Sequence, residues 1–501
     1  MKPSSEFRLT LSVIREEIAL SDLLPELYAQ YCPLLADALR FFLERLSPVR
    51  LRRIIAEQLE LPMSISTEER VALLLCQTPV LHKLGQMLAR DHRLAEEFRK
   101  RLQRLESLEP QTPQSEVFRL LERELNNWRD LGIKLGPRSL AEGSVAIVMP
   151  FELENRPGVF KLLKPRIADY LHEDLEVLGR VGDFLDGECK HYNLPELDYR
   201  DTFETIRELL RNEVRLGNEQ AHMDEARRLY SGSASVVIPE LFPFCTPRMT
   251  AMERIVGEKM PNWKGSPLAR ANVARTAIET LIAQPIFSPE SAALFHADPH
   301  AGNLLVTPEG KMGVLDWSLV GYLRKHDRVQ LTQLILGALE LNVGKIGRAV
   351  EELSLKTVDR AAFREVLGES LSELRWGTPP GLTWLTTFID RLAMRAGARF
   401  DHNLLLFRKT LLMLEGVLTD LGCGDQVWQR TLLDQTVLAS FLAHWTAEWP
   451  ARFRVPLNSR SVDTHISTAD VLSLVWSGPT TMARWWSDTS LDFLKAMQSS
   501  K

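Results

Sequence analysis

A chain of 501 residues with 45% hydrophobic content can bury a large core and form more than one lobe, which excludes a disordered chain. Its 61 basic and 66 acidic side chains are interspersed, for a formal net charge of -5, without the basic blocks of a nucleic-acid tail, so nucleic acid is excluded as a main partner. The five cysteines, Cys32, Cys76, Cys189, Cys245 and Cys423, are odd in number and widely separated, and no C-x-x-C pair occurs. That excludes a disulfide framework and a zinc cage and fits a reducing cytosol.

The N-terminus, MKPSSEFRLTLSVIREE, has no sustained apolar run ending in small residues, and nowhere do roughly 18 consecutive uncharged apolar residues occur. Neither secretion nor a membrane span is expected. Helices are expected up to about residue 130, where Leu35, Leu39, Phe42 and Leu46 recur at spacings of four and three and make one apolar stripe. Ser66 with Glu69 has capping-box spacing and predicts a helix start, and Pro79 suits the first turn of "PVLHKLGQMLARD". Gly85 in that helix costs about 1 kcal/mol relative to alanine, which makes sense where a backbone or ligand approaches closely.

Between 139 and 257 the runs "SVAIVM", "GVFKLL", "SVVIPEL" and "RMTAMERIV" predict a small, mostly antiparallel sheet. A helical span from 167 to 230 interrupts it. From 266 onward helices dominate, broken by "FHADPHAGNLLVTPEGKMGVLDWS", in which "NLLV-TPEG-KMGVLD" reads as a hairpin closed by a Pro-Glu-Gly turn.

That hairpin concentrates chemistry. Phosphoryl transfer asks for positioning and charge: metal ions on the phosphates, oxygen ligands for them, a lysine, and an acid near the acceptor. Asp298 and Asn303 are five residues apart, the spacing at which one acid orients an acceptor and an amide holds a metal, and Asp316 follows the strand "MGVL", where it can take magnesium. Lys161 in "VFKLL" suits a phosphate-binding lysine that needs an acidic partner to hold it. Glu213 and Glu219 flank Leu216 at minus three and plus three, so on one helix they share a face. One acid can reach Lys161 and the other a second cation, for which Lys83 of "HKLGQM" is the candidate; the alternative is a solvated acidic face. His296, Asp298 and His300 alternate like metal ligands, which leaves a metallohydrolase as a rival.

Together these motifs resemble, over residues 79 to 422, the UbiB/AarF-type atypical kinases, a protein-kinase-like family associated with coenzyme Q biosynthesis. Lys83 to Gln86 resembles the family's Lys-x-Gly-Gln motif, "LAEGSVAIV" its alanine-rich nucleotide loop, Lys161 its strand lysine, Glu213 to Arg215 its Glu-x-Asp, and Glu219 its helix glutamate. "TAMERIVG" resembles the hinge, "FHADPHAGNLLV" the catalytic loop and "LLLFRKTLLMLEGVLTDLG" a later helix. The resemblance implies an α+β, protein-kinase-like bilobal fold. Its parts would be an N-terminal helical extension at 1–130, a small antiparallel N-lobe with a helical insertion at 131–258, a large helical C-lobe at 259–430 and a helical C-terminal region at 431–501.

It further implies ATP and Mg2+ as cofactors. Ala141, Gly143 and Ser144 would contact the nucleotide in the loop, and Met252, Glu253 and Ile255 at the hinge. Lys161 would hold phosphates under the control of Glu219, Asn303 and Asp316 would bind metal, Asp298 would serve the acceptor, and Lys83, Gln86 and Glu213 would line a covering helix. The acceptor would be a small or lipid-like molecule, or water. The departures from the family pattern are Glu142 and Gly143 in place of alanines, Arg215 for the Asp, and Ser318 for the metal-motif glycine. They keep open a nucleotide-binding pseudokinase scaffold, and Asp316-Trp317 with the His296-x-Asp298 loop and Asn303 keeps open an aminoglycoside/choline-type small-molecule kinase. Six of the eleven tryptophans, Trp428, Trp445, Trp449, Trp476, Trp485 and Trp486, lie in the last fifth of the chain. Such a tail either packs on the helical lobe or makes a peripheral membrane contact on an otherwise cytoplasmic protein.

Overall fold

The structure, a computed structural model, describes residues 30–62, 64–88, 100, 102, 112–189, 191, 192, 194, 203, 204, 207, 210–375, 380–422, 432–437, 439, 440, 443, 446, 454–459 and 465–473. The six C-terminal tryptophans and Cys423 lie outside these residues. The chain divides into two units, Met1–Arg227 with Pro239–Arg254, and Arg228–Ile238 with Ile255–Lys501.

The first unit opens with helices α1 (Cys32–Leu43), α2 (Pro48–Leu59), α3 (Thr67–Leu75) and α4 (Pro79–Leu88). The Ser66 side chain accepts the Glu69 N–H at 3.3 Å, so α3 begins where the capping spacing predicts. Of the expected stripe, Phe42 and Leu46 are buried and Leu39 packs partly buried on the core, whereas Leu35 is 40% exposed and Leu34 is buried in its place. The adjacent Leu34 and Leu35 allow either to be the buried one. Packing against the long helix that follows the hairpin selects between them.

Next come α5 (Gln114–Glu124), β1 (Lys134–Leu135), β2 (Ala141–Glu142), β3 (Ala146–Leu153), β4 (Arg156–Leu163), α6 (Ile167–Glu188), α7 (Leu216–Tyr230), β5 (Val236–Val237) and β6 (Met249–Glu253). The sheet of the first unit has the order β1-β3-β4-β6, with β2 also on β3, all antiparallel. The β3–β4 hairpin turns on Glu154 and Asn155, at φ 50 and 63, the backbone a two-residue type I′ connection requires. One face of the sheet buries Phe151, Phe160 and Phe242 against Val117, Leu120 and Leu121 of α5. A second cluster joins α1 to α4 with Leu171, Leu175, Leu178 and Leu185 of α6.

Two expectations need correction. "SVVIPEL" is divided between two sheets: Val236 and Val237, as β5, pair parallel with a strand of the second unit, opposite Met312 and Gly313, while Leu241 bridges Met252 of β6. A short apolar run carries no information about which sheet edge will take it. The acidic helix is also not continuous, because Val214 and Arg215 break it, and Glu213 and Glu219 stand on separate helical segments.

A buried polar cluster fixes α2 and α4 to α6. Asp174 is fully enclosed, its Oδ1 2.7 Å from Arg50 Nη1, while Oδ2 accepts the Val80 N–H of α4 at 3.4 Å. Burial outweighs the pull of Arg50 and raises the Asp174 pKa from 3.8 to about 6. An acid whose pKa rises on folding contributes stability that is fully present below its unfolded pKa and is lost as pH rises through the folded one. Between about pH 5 and about pH 8 the Asp174→Asn chain is therefore expected to lose about 1 kcal/mol less stability than the parent in urea unfolding. Parallel pH profiles would show that Asp174 stays ionised throughout.

The second unit contains β5, β7 (Glu258–Lys259), β9 (Leu304–Val306) and β10 (Met312–Val314) in the order β5-β10-β9-β7, and a two-stranded sheet of β8 (Ala292–His296) and β11 (Val320–Arg324). Helix α8 (Pro267–Ile278) continues through a π-helical turn, Glu279–Ala283, into α9 (Gln284–Phe287). Helices α10 (Lys325–Leu339), α11 (Val343–Leu353), α12 (Arg360–Arg375), α13 (Leu382–Arg395) and α14 (His402–Asp420) follow. Among the described residues no helix is long and apolar enough to cross a membrane. The fold is α+β and kinase-like, with an antiparallel sheet in one unit and a mainly helical second unit.

Candidate active site

In the first unit Lys161 stands on β4, the strand between β3 and β6, opposite Val148 on one side and Thr250 on the other. Its ammonium lies 2.8 Å from Glu219 Oε1, and Glu219 is almost fully buried. The neighbouring Gln220 ties α7 to the sheet by donating from Nε2 to Thr246 O (2.9 Å), Thr250 Oγ1 (3.0 Å) and Met249 O (3.3 Å). Sequence reading missed Gln220, since an amide on a helix has no local signal of its partner.

Glu213 does not share a helix face with Glu219 but has its own cation, Lys83 of α4, with which it forms an ion pair. Glu213 Oε2 also accepts from Ser144 Oγ at 3.3 Å, which links α4 to the loop between β2 and β3. Gln86 lies on α4, and its side chain is outside the described residues. In that loop Ala141 pairs with Val148, and the Gly143 N–H donates to Ala146 O at 2.8 Å. Glu142, the acid expected to disturb bound phosphates, is buried and compensated: Oε1 lies 2.8 Å from Lys164 Nζ, and Oε2 accepts the Thr112 N–H at 2.9 Å. Arg215, the other charge departure, is exposed. Met252 is buried opposite Val159, and the Glu253 N–H donates to Glu240 O at 2.7 Å. Ile255 is the residue at which the chain passes into the second unit.

In the second unit the hairpin register does the positioning. Leu304 pairs with Val314, and the Leu315 N–H donates to Asn303 O at 2.8 Å, so Asn303 and Asp316 end up at the same end of the β9–β10 hairpin. Asn303 Nδ2 donates to Asp298 O at 3.1 Å, which leaves its amide oxygen as the outward acceptor. Asp316 adopts a left-handed backbone (φ 51), a conformation that aspartate tolerates better than most residues. It is held from both ends, its carbonyl by His296 Nε2 at 3.0 Å and its carboxylate by the Ser318 N–H at 3.1 Å. That second bond needs only a backbone N–H, so serine serves where the family pattern has glycine.

His296 is fully buried and packs edge-on to Trp317 at 4.9 Å. Its Nδ1 accepts the Asp298 N–H at 3.2 Å and its Nε2 donates to Leu315 O at 3.0 Å, so both ring nitrogens are taken by backbone. Burial holds its pKa below that of a free imidazole, and the ring remains neutral. This removes His296 as a metal ligand and with it the metallohydrolase reading. Strand β8, which carries His296, and its partner β11 were not anticipated from sequence.

Asn303 and Asp316 offer one amide and one carboxylate oxygen, hard donors of the kind magnesium takes alongside waters and substrate phosphates. Among the described residues no group of three or more His, Cys, Asp or Glu side chains is arranged to hold a metal by itself.

Residues 104–350 match the family described as ABC1 atypical kinase-like domain. The chain is similar to the "Probable protein kinase UbiB" of Actinobacillus pleuropneumoniae, 26% identical over 404 residues that cover 74% of this chain and 69% of the relative. It is similar also to that of Vibrio campbellii, 26% identical over 462 residues, covering 86% and 77%. A solved structure, the Rv3197–erythromycin complex from Mycobacterium tuberculosis, is similar at 18% identity with a TM-score of 0.48, covering 74% of this chain and 93% of that one. Residues 104–350, which hold Lys161, Glu219, Asp298, Asn303 and Asp316, thus carry an ABC1 atypical kinase-like domain, similar in sequence to proteins named probable protein kinase UbiB.

Proposed function

We propose that the protein is an ATP- and magnesium-dependent phosphotransferase or ATPase whose acceptor is a small or lipid-like molecule or water, in support of quinone or isoprenoid lipid metabolism. Lys161, positioned by Glu219, holds the α- and β-phosphates. Ala141, Gly143 and Ser144 line the phosphate loop; Met252, Glu253 and Ile255 take the adenine side. Lys83 and Gln86 belong to the covering helix, with Glu213 as the counter-charge of Lys83. Asn303 and Asp316 hold magnesium, which when bound neutralises phosphate charge. Asp298 orients the acceptor hydroxyl or water and receives its proton. A peripheral membrane contact by the tryptophan-rich tail belongs to the same reading.

The observation that supports this reading is the backbone bond from Leu315 to Asn303, which sets Asn303 and Asp316 at one end of the hairpin, with the Asn303 amide bonded to the Asp298 carbonyl. The test is the melting temperature with ATP, with and without magnesium. A ligand at about 100 times its dissociation constant stabilises the folded chain by about 2.7 kcal/mol. The parent is expected to show a magnesium-dependent rise that Asp316→Asn lacks. Equal rises in both chains would remove Asp316 as a metal ligand, and no rise in the parent would favour a scaffold without nucleotide.

A further inference from the structure

Lys409 is a cation beside Asp298; it lies in "LLLFRKTLLMLEGVLTDLG", a stretch to which the sequence reading gave no part in the site. Its Nζ lies 3.4 Å from Asp298 Oδ1, and on the other side of the same carboxylate His300 Nε2 lies 3.8 Å from Oδ2. The lysine comes from α14, 111 residues further along the chain, and that helix is fixed to the strands bearing the loop in three places. Thr410 Oγ1 is 3.2 Å from His296 O, the Tyr322 N–H donates to Asn403 Oδ1 at 3.0 Å, and the Phe407 ring meets Phe295 edge-on at 5.2 Å. The Lys409 side chain is 40% exposed and that of Asp298 only 16%. An ion pair this open adds little to stability, so its placement calls for another reason.

The reason lies in the charge that Asp298 must face. A carboxylate oriented toward an acceptor also confronts the negative phosphoryl group arriving at that acceptor, and the two repel. An ammonium with three N–H donors can keep one on the carboxylate and offer another to a phosphoryl oxygen. We propose that Lys409 is a catalytic residue that bridges Asp298 and the phosphoryl group in transfer; this rests on the phosphoryl-transfer reading above. As the acceptor oxygen bonds to the γ-phosphorus, the bond from that phosphorus to the β–γ bridging oxygen breaks and its electron pair leaves with ADP. The acceptor's proton passes to Asp298. Lys409 keeps its charge throughout and holds the carboxylate and the transferring oxygens together.

The experiment measures magnesium-dependent ADP formation and the MgATP-induced rise in melting temperature for the full chain, Lys409→Met, Lys409→Arg and Lys409→Ala. Expected are parent-like rises in all four, a fall in turnover of about 100-fold in Lys409→Met, recovery of most of it in Lys409→Arg, and saturable rescue of Lys409→Ala by propylamine. Parent-like turnover in Lys409→Met overturns the assignment. So does a joint fall of melting temperature and turnover that neither arginine nor propylamine repairs, since that marks a structural lysine. A parent chain that forms no ADP brings down the phosphoryl-transfer reading itself, and Lys409 with it.

Discussion

Glu219→Ala is expected to unfold about 3–5 kcal/mol more easily than the parent in urea, and to lose the MgATP-induced rise in melting temperature. The glutamate is 1% exposed and Lys161 12%, with 2.8 Å between their charged atoms, so the pair stands largely out of water. Removing the carboxylate leaves an ammonium in the middle of the sheet without the counter-charge that made its burial tolerable. A double variant separates stability from binding. In Lys161→Met/Glu219→Leu both charges are gone and two apolar side chains of similar volume replace them, and stability should return to within about 1 kcal/mol of the parent. The MgATP rise should stay absent, because the ammonium at the centre of β4 that would take phosphate is gone. A double variant that bound MgATP like the parent would show that Lys161 serves the fold alone.

The second large effect is expected at Arg328, in the first turns of α10. Its guanidinium is fully enclosed and donates to Ser288 O at 2.6 Å, to Pro285 O and Ile286 O at 3.4 Å, and to Glu290 O. Burial lowers its pKa to about 10, and it remains charged at neutral pH. These carbonyls belong to α9 and to the chain that joins it to β8, and β8 ends on His296, the residue that fixes Asp316. Arg328→Met fills the space but takes the donor from the Ser288 and Glu290 carbonyls, which is expected to cost about 4 kcal/mol in urea unfolding. Arg328→Lys should recover only part, since one ammonium cannot reach positions that a planar fork spans. A methionine variant within about 1 kcal/mol of the parent would mean that water or a shifted backbone satisfies those carbonyls.

Much of the chain was legible because its signals are local. The S-x-x-E cap at Ser66, Pro79 at a helix start, and the hairpin with its Pro-Glu-Gly turn each rest on bonds within a few residues, and each stands in the structure where the pattern put it. The five-residue interval from Asp298 to Asn303 is of this kind too, because a loop this short brings the Asn303 amide back onto the Asp298 carbonyl. Misreadings came where two local solutions were equally good. The adjacent Leu34 and Leu35 on α1 allowed either to be the buried one, and Val236–Val237 could have joined either sheet.

By itself, then, the sequence determined the residue types, the order of the motifs and the hairpin that carries Asn303 and Asp316, because covalent spacing and turn chemistry settle those. The family resemblance already matched Glu219 to Lys161 and Glu213 to Lys83, and both ion pairs stand; only the tertiary structure decided the partners of Glu142 and Asp298. Glu142 is taken by Lys164 and Thr112, Glu213 by Lys83 and Ser144, Glu219 by Lys161, and Asp298 by a lysine from a helix far along the chain. Coulombic and hydrogen-bond partners are chosen by distance in space, and a side chain carries no mark of what the fold will bring within 4 Å of it.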